Sequence, residues 1–332
     1  ISDLAFIARV TKLLPICGQE DCELAVIKGW KCIVKKGQFT VGELVVYYAI
    51  DSIPDPKTGR VKTVAMGGVI SQGVLRPMSC LKDRGYHDLS KYQEDDSVAD
   101  EMGVQKFISR EERNLYTKTG EHEPFPDFIP KTESTRIQHD PIAFLTAIQD
   151  KKIVITRKED GTSCTYLYNQ GTLTVCSRNY AYMLSDTPPS PHYFDILTQY
   201  DLEKKLKSLN RNIAIQGEIV GPKINSNRMK LTQSDFFVFD IYDVDKEEYM
   251  SYDAMCSLCA ELGMFTVPLI YRGPAAALTL SLDGLMQLAE SAEYAPGVAA
   301  EGIVVNSDDP AWRKRRAHFK VISNKYLLQH KL

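Results

Sequence analysis

The residues whose types and spacing first suggest chemistry are Lys158, Asp160 and Gly161, within Thr156-Arg157-Lys158-Glu159-Asp160-Gly161-Thr162-Ser163. They follow Ile153-Val154-Ile155, an apolar run of the kind that forms a buried strand. A lysine there is lifted to the mouth of a pocket. Neighbouring cations and partial desolvation are expected to lower its pKa and make its amine a nucleophile. Asp160 sets a carboxylate beside that amine, and Gly161 is expected to permit a tight turn. Taken alone, Lys-X-Asp-Gly is more often a surface turn than a catalytic motif. Arg157 precedes the lysine, points to the opposite face of the strand and is expected to be solvated, with contact to nucleic acid as the alternative.

Five further segments follow in order and change that balance: Ser177-Arg178-Asn179, Gln216-Gly217-Glu218-Ile219-Val220-Gly221, Phe236-Phe237-Val238-Phe239-Asp240, Ala300-Glu301-Gly302-Ile303-Val304-Val305 and His318-Phe319-Lys320-Val321. Most pair a polar or aromatic residue with an apolar strand, as a nucleotide pocket built on strands requires. Lys158, Arg178 and Lys320 suit phosphate oxygens, and Asp160, Glu218 and Glu301 suit a divalent cation, directly or through its water shell. Phe239 suits stacking on a purine, with Phe237 on the same face by alternation. Singly, Glu218 and Glu301 would read as surface carboxylates; their shared order with Lys158 overturns that reading. Arg313-Lys314-Arg315-Arg316, beside Trp312, reads as a solvated loop, with contact to RNA phosphate as the alternative. The six histidines show no metal-binding spacing.

These collinear segments resemble the covalent nucleotidyltransferases, the superfamily of nucleic-acid ligases and mRNA capping enzymes. Within it the chain is most similar to ATP-dependent RNA ligases of the Naegleria and Deinococcus type. In these an oligonucleotide-binding (OB) domain precedes the transferase domain. Lys131 to Gln138 looks like that family's interdomain segment, and Ile322 to Leu327 like its C-terminal end. The resemblance spans nearly the whole chain. It implies that Lys158 attacks the α-phosphate of ATP and carries AMP, which passes to a 5′-phosphate end of RNA before a 3′-hydroxyl end displaces it. The implied cofactors are ATP and Mg2+ or Mn2+, the latter held by Asp160, Glu218 and Glu301. Thr156, Arg178, Glu218, Phe239 and Lys320 are expected around the nucleotide with Lys158, while Lys320 and Arg136 are expected to assist catalysis, Arg136 by orienting the departing phosphates. Where many ligases have Lys-X-Lys in the last motif, this chain has His318-Phe319-Lys320, which places more of the adenylation step on Lys320. The implied partner is RNA with 5′-phosphate and 3′-hydroxyl ends, including nicked duplexes, bound by a monomer. A DNA ligase, another covalent nucleotidyltransferase and a non-catalytic OB-type RNA-binding protein are the alternatives.

The elements that must position these residues fit two domains in 332 residues. Residues 7 to 107 carry short β-type runs such as Trp30 to Val34 and Glu43 to Ile50, as an all-β OB barrel would. A polar stretch between Ser109 and Glu123, with Thr117 to Gly120 as an exposed loop, puts the boundary near residue 125. The expected division is 1–125 for the OB barrel and 126–332 for an α+β nucleotidyltransferase domain with antiparallel sheets, its interdomain segment at 126–140. Helices are expected at Ile142 to Ile148, Tyr193 to Leu209, Ser251 to Leu262 and Leu278 to Ser291, and a stiff loop at Pro188 to Pro191.

Composition sets the limits. Hydrophobic residues are 44% and charged residues 25%, which suits globular cores. A net charge of −3 argues against nucleic-acid binding by bulk electrostatics, so any such contact must be local. The apolar runs fall far short of the about 20 residues that cross a bilayer, so no membrane partner is expected. Eight cysteines without framework spacing suit an intracellular, reducing compartment, although a targeting segment trimmed ahead of Ile1 is compatible with this start. The Cys256-to-Cys259 pair is expected to lie on a core-facing helix.

Overall fold

The computed structural model describes residues 4–57, 59–108, 123–184, 191–314 and 317–332. The expected loop at Thr117 to Gly120, most of the loop at Pro188 to Pro191, and Arg315 and Arg316 of the basic cluster lie outside the described residues. No described helix is long and apolar enough to cross a membrane.

The chain divides into two compact units. One comprises Ile1–Ile108, Thr135–Phe144 and Ile322–Leu332; the other comprises Ser109–Ser134 and Leu145–Val321. A single boundary near residue 125 was the expectation, but two later segments belong with the first unit, for identifiable reasons. Gly29 sits so close to Gln138 that a Cβ there would lie 2.6 Å from the Gln138 Cα, and its N–H donates to the Gln138 carbonyl at 3.0 Å. The C-terminal Leu332 carbonyl accepts from the Thr63 N–H at 3.0 Å. Both attachments join residues far apart in sequence, where no local signal reports them.

The first unit is built from short antiparallel strands. Ala5–Arg9, Leu44–Tyr48 and Val74–Pro77 form one sheet, and Lys12–Ile16, Gln19–Ile27 and Trp30–Lys35 another. Alternation decides which side chains go inside: Trp30, Cys32 and Val34 are buried while Lys31 and Lys35 are exposed. Leu44–Tyr48 is covered on both faces. Val45 and Tyr47 join one core with Phe6 and Trp30, and Val46 and Tyr48 join a second with Ile7 and Leu81.

In the second unit a large sheet runs in the order Glu123–Pro124, Tyr180–Met183, Thr172–Cys176, Thr162–Asn169, Ile213–Val220, Asp235–Asp243, Glu248–Tyr249, with Phe265–Thr266 parallel to Asp235–Asp243. A smaller sheet has the order His318–Ile322, Gly302–Ser307, Lys152–Lys158, Leu269–Pro274. One face of the large sheet packs Tyr166, Ile215 and Phe236 against helices that supply Ile196, Leu206 and Leu258. The expected helix from Tyr193 to Leu209 is two, His192–Tyr200 and Leu202–Leu209, because Asp201 takes a left-handed φ of 50° between them. Ser251 accepts from the Ala254 N–H at 3.2 Å and starts Tyr252–Leu262. Cys259 on that helix lies in the core with Cys256 packed beside it, so this CxxC is structural. The last expected helix begins later, at Leu282, where Ser281 caps the Gly284 N–H at 3.0 Å.

Candidate active site

Lys158 ends the strand Lys152–Lys158, opposite Gly302 in register, so Glu301 arrives directly beside it. Its Nζ lies 2.7 Å from Glu301 Oε2 and 3.4 Å from the Glu159 carbonyl. The next strand of the chain, Thr162–Asn169, belongs to the other sheet, so the turn at 159–161 carries the chain from one sheet to the other beneath the lysine. Glu218 comes from that other sheet, opposite Ser163 in register.

Gly161 is not there for a left-handed turn, since its φ is not positive. A Cβ at this position would stand 2.1 Å from the Ile219 carbonyl oxygen and 2.9 Å from Glu218 Cγ. Glycine therefore lets the turn press against the strand that carries Glu218, which brings two carboxylate-bearing segments to one lysine.

The electrostatics follow from this crowding. Burial by itself would lower the pKa of Lys158, but Glu301, Glu218 and Asp160 outweigh burial and raise it above the ordinary lysine value. The expected lowering is therefore reversed, because the nearest charges are carboxylates brought in by distant strands. Burial pushes Glu218 up to about 7, opposed by the positive charges of Lys158 and Arg178. Arg178, just after Thr172–Cys176, is exposed, yet its charge reaches Glu218.

Two groups lock the turn that sequence reading had not singled out. Asn225 Nδ2 donates to Asp160 Oδ1 at 2.9 Å and to the Gly161 carbonyl at 2.7 Å, while Arg228 Nη1 donates to the two Asp160 oxygens at 3.2 and 3.0 Å. On the other side, the Tyr294 hydroxyl donates to the Lys158 carbonyl at 2.9 Å and accepts from the Glu301 N–H at 3.1 Å. It ties the nucleophile's backbone to that of its carboxylate partner. Arg157 does face away from Lys158, as expected, but it is not solvated. Its Nε donates to Glu159 Oε1 at 2.7 Å and its guanidinium packs over the Tyr294 ring at 5.0 Å.

Thr156 and Phe239 line one cleft with Val154, Tyr252, Met255 and Asn306. Val154, Thr156 and Lys158 alternate along their strand and so share its face. Phe239 arrives through a bulge. Gln216 pairs with Asp240 and Gly217 with Val238, leaving Phe239 as the extra residue. Phe236 and Val238 thus stay in the core, Phe239 turns to the cleft, and Ile241 returns to the core. Lys320 lies on His318–Ile322, beside Gly302–Ser307, with its neighbours Phe319 and Val321 fully buried on the opposite face. Arg136 belongs to the first unit, where its guanidinium lies 6.0 Å from the Trp30 ring. Of the basic cluster, Arg313 accepts the Tyr249 N–H on its carbonyl at 3.0 Å.

Among the described residues no three His, Cys, Asp or Glu side chains converge closely enough to ligate a metal directly. Asp160 is committed to Arg228 and Asn225. Glu218 and Glu301 remain as hard oxygen donors around Lys158, which suits a divalent cation held largely through its water. The same face of the large sheet carries buried polar atoms without a protein partner among the described residues, Thr165 Oγ1 and Gln216 Oε1, opposite each other in register. Such a lining fits a site that receives polar ligands.

An OB-fold domain model matches residues 4–59, and an RNA ligase family model matches residues 151–322. Among solved structures, a Naegleria gruberi RNA ligase with PPi is 31% identical with a TM-score of 0.86, over 100% of this chain and 99% of that one. A lysine-to-alanine variant of the same ligase with ATP and Mn is 31% identical with a TM-score of 0.85, over 99% of both chains. A glutamate-to-alanine variant with AMP and Mn is 30% identical with a TM-score of 0.84, again over 99% of both. No curated protein matches the chain. Fold and site together define a nucleotidyltransferase-type unit joined to an OB fold. Within that class, the chain belongs to the RNA ligase family.

Proposed function

We propose that the chain is an ATP-dependent RNA ligase that joins a 3′-hydroxyl end to a 5′-phosphate end through AMP carried on Lys158. The observation that carries this reading is the Lys158 amine, set 2.7 Å from Glu301 in a carboxylate-lined site whose strand also lines the cleft with Phe239. Lys158 Nζ forms a bond to the α-phosphorus of ATP as the bond to pyrophosphate breaks. A 5′-phosphate oxygen then takes the AMP and returns the amine, and the 3′-hydroxyl oxygen attacks that 5′-phosphorus with AMP leaving.

The site residues of the second unit divide this scheme among them. Phe239 stacks on the base, and Thr156 bounds the same cleft. Glu301 Oε2 holds the ammonium proton that Lys158 must release before it attacks, because the raised pKa keeps the resting amine charged. Glu218 and Glu301 would hold a divalent cation, which supplies positive charge that offsets the carboxylates and polarises the α-phosphate. Arg178 and Lys320 bind phosphate oxygens. Asp160, fixed by Arg228 and Asn225, holds the turn beneath Lys158 and adds negative charge to the site. The eight free cysteines support a reducing compartment.

The test is incubation with α-labelled ATP and a divalent metal, followed by a chase with 5′-phosphorylated RNA. Metal-dependent label on the protein, consumed as RNA is sealed, is the expected result. Label from GTP alone, or sealing of DNA but not RNA, would contradict the reading.

A further inference from the structure

Phe265 is the most exposed of the large aromatic side chains among the described residues, and the reaction scheme leaves it unused. It is 57% exposed, and Leu269 and Ile270 in the same stretch are 47% and 37% exposed. Single exposed apolar residues are ordinary, but this group sits at a particular place. Phe265 pairs in parallel register with Phe237, their rings 6.2 Å apart. Phe237 in turn stands directly opposite Glu218. Directly paired residues share a face of the sheet. Phe265, Phe237 and Glu218 therefore form one row that runs from an exposed ring to the carboxylate beside Lys158. Leu269 is opposite Thr156, so the strip continues to the lip of the cleft.

The positive charge nearby has the matching distribution. The loop between Val220 and Asp235 joins the two strands that carry Glu218 and Phe237, and it presents Lys223 and Lys230 to solvent. That loop ends at Asp235, two residues before Phe237, the partner of Phe265. An exposed aromatic ring next to a loop with exposed lysines suits an unpaired nucleotide, its base on the ring and its phosphates on the ammonium groups. A protein partner would favour the strip for its apolar area alone and has no use for a row that leads to the reacting groups.

We infer that Phe265, backed by Phe237, is a stacking subsite for an unpaired base of the RNA next to the end being joined, with Lys223 and Lys230 holding its phosphates. This rests on the RNA ligase reading above. The subsite is continuous with the catalytic face, so a base seated on it holds the adjoining end near Lys158.

The experiment measures RNA affinity by fluorescence anisotropy with a 5′-phosphorylated single-stranded oligonucleotide, alongside uptake of labelled AMP without RNA. Wild type is compared with Phe265→Ala, Phe265→Leu and Phe265→Trp. Alanine and leucine should each weaken RNA binding about tenfold while tryptophan retains it, because stacking needs a ring and not just apolar bulk. Label uptake shows that each variant is folded. Equal RNA affinity in wild type and Phe265→Ala overturns the inference. So does a leucine variant that binds like wild type, or a change in sedimentation that marks the strip as a contact between protein chains. If wild type takes up no label, the ligase reading fails, and the anisotropy still decides the subsite by itself.

Discussion

On one face of the strands Thr162–Asn169 and Ile213–Val220, Cys164, Tyr166, Ile213 and Ile215 lie in an apolar core; on the other, beyond a smaller apolar cluster at Leu167 and Ala214, stand Ser163, Thr165, Gln216 and Glu218. On the apolar face even the polar atom is satisfied: the Tyr166 hydroxyl donates to the Tyr193 carbonyl at 2.8 Å. Across the sheet, Thr165 Oγ1 and Gln216 Oε1 have no partner among the described residues, and burial holds Glu218 near 7. One face stabilises the unit by burying area, a contribution that tolerates changes of shape. The other keeps polar groups where they cost stability, and what they offer in return is chemistry.

The sharpest way to break this comparison is Glu218→Gln. It keeps the shape and removes the charge, so label uptake from ATP should fall about a hundredfold or more. Thermal unfolding should stay at or above the wild-type temperature, because a buried carboxylate is gone. A variant that unfolds early but adenylylates normally would reverse the roles assigned to the two faces.

Arg228→Met probes the support beneath the site. Asp160 loses the guanidinium nitrogen shared between its two oxygens, and label uptake should fall about tenfold, as for other residues that orient a reacting group. Arg228→Lys should recover part of the loss, since it restores a charge on a shorter side chain without the planar guanidinium. Full activity in the methionine variant would show that Asp160 needs no anchoring.

The smallest effect belongs to the apolar face. Ile215→Val should lower stability by about 1 kcal/mol in urea unfolding and leave label uptake per folded molecule as in wild type. A loss of label without a loss of stability would mean that core packing, and not the polar face, sets the position of Glu218.

Much of this arrangement was legible in the sequence because it is written locally. The apolar run Ile153-Val154-Ile155 forms a strand ending at Lys158, the apolar stretches Thr172 to Cys176 and Ile213 to Val220 are strands, and Ser251 starts a helix. What escaped depends on contacts between distant segments. Arg228 stands in a loop with five left-handed non-glycine residues, a conformation that residue types such as Lys223 and Lys230 do not announce. Tyr294 and Glu301 reach Lys158 from about 140 positions away, so neither the clamp on its backbone nor the direction of its pKa shift has a local signature. Arg157 was misread for the same reason: its packing partner is Tyr294. A cue was available for Gly161, whose need is set by Ile219, yet only the folded strand pairing shows that the need is space and not backbone angle.

The central claim is that Lys158, and no other residue, carries AMP. Peptide mapping by mass spectrometry, after incubation of the protein with ATP and manganese and without RNA, tests it directly. The account predicts one AMP on the peptide that contains Lys158 and none on the Lys158→Ala protein. An adduct on a different residue, or one that persists in the alanine variant, would contradict it.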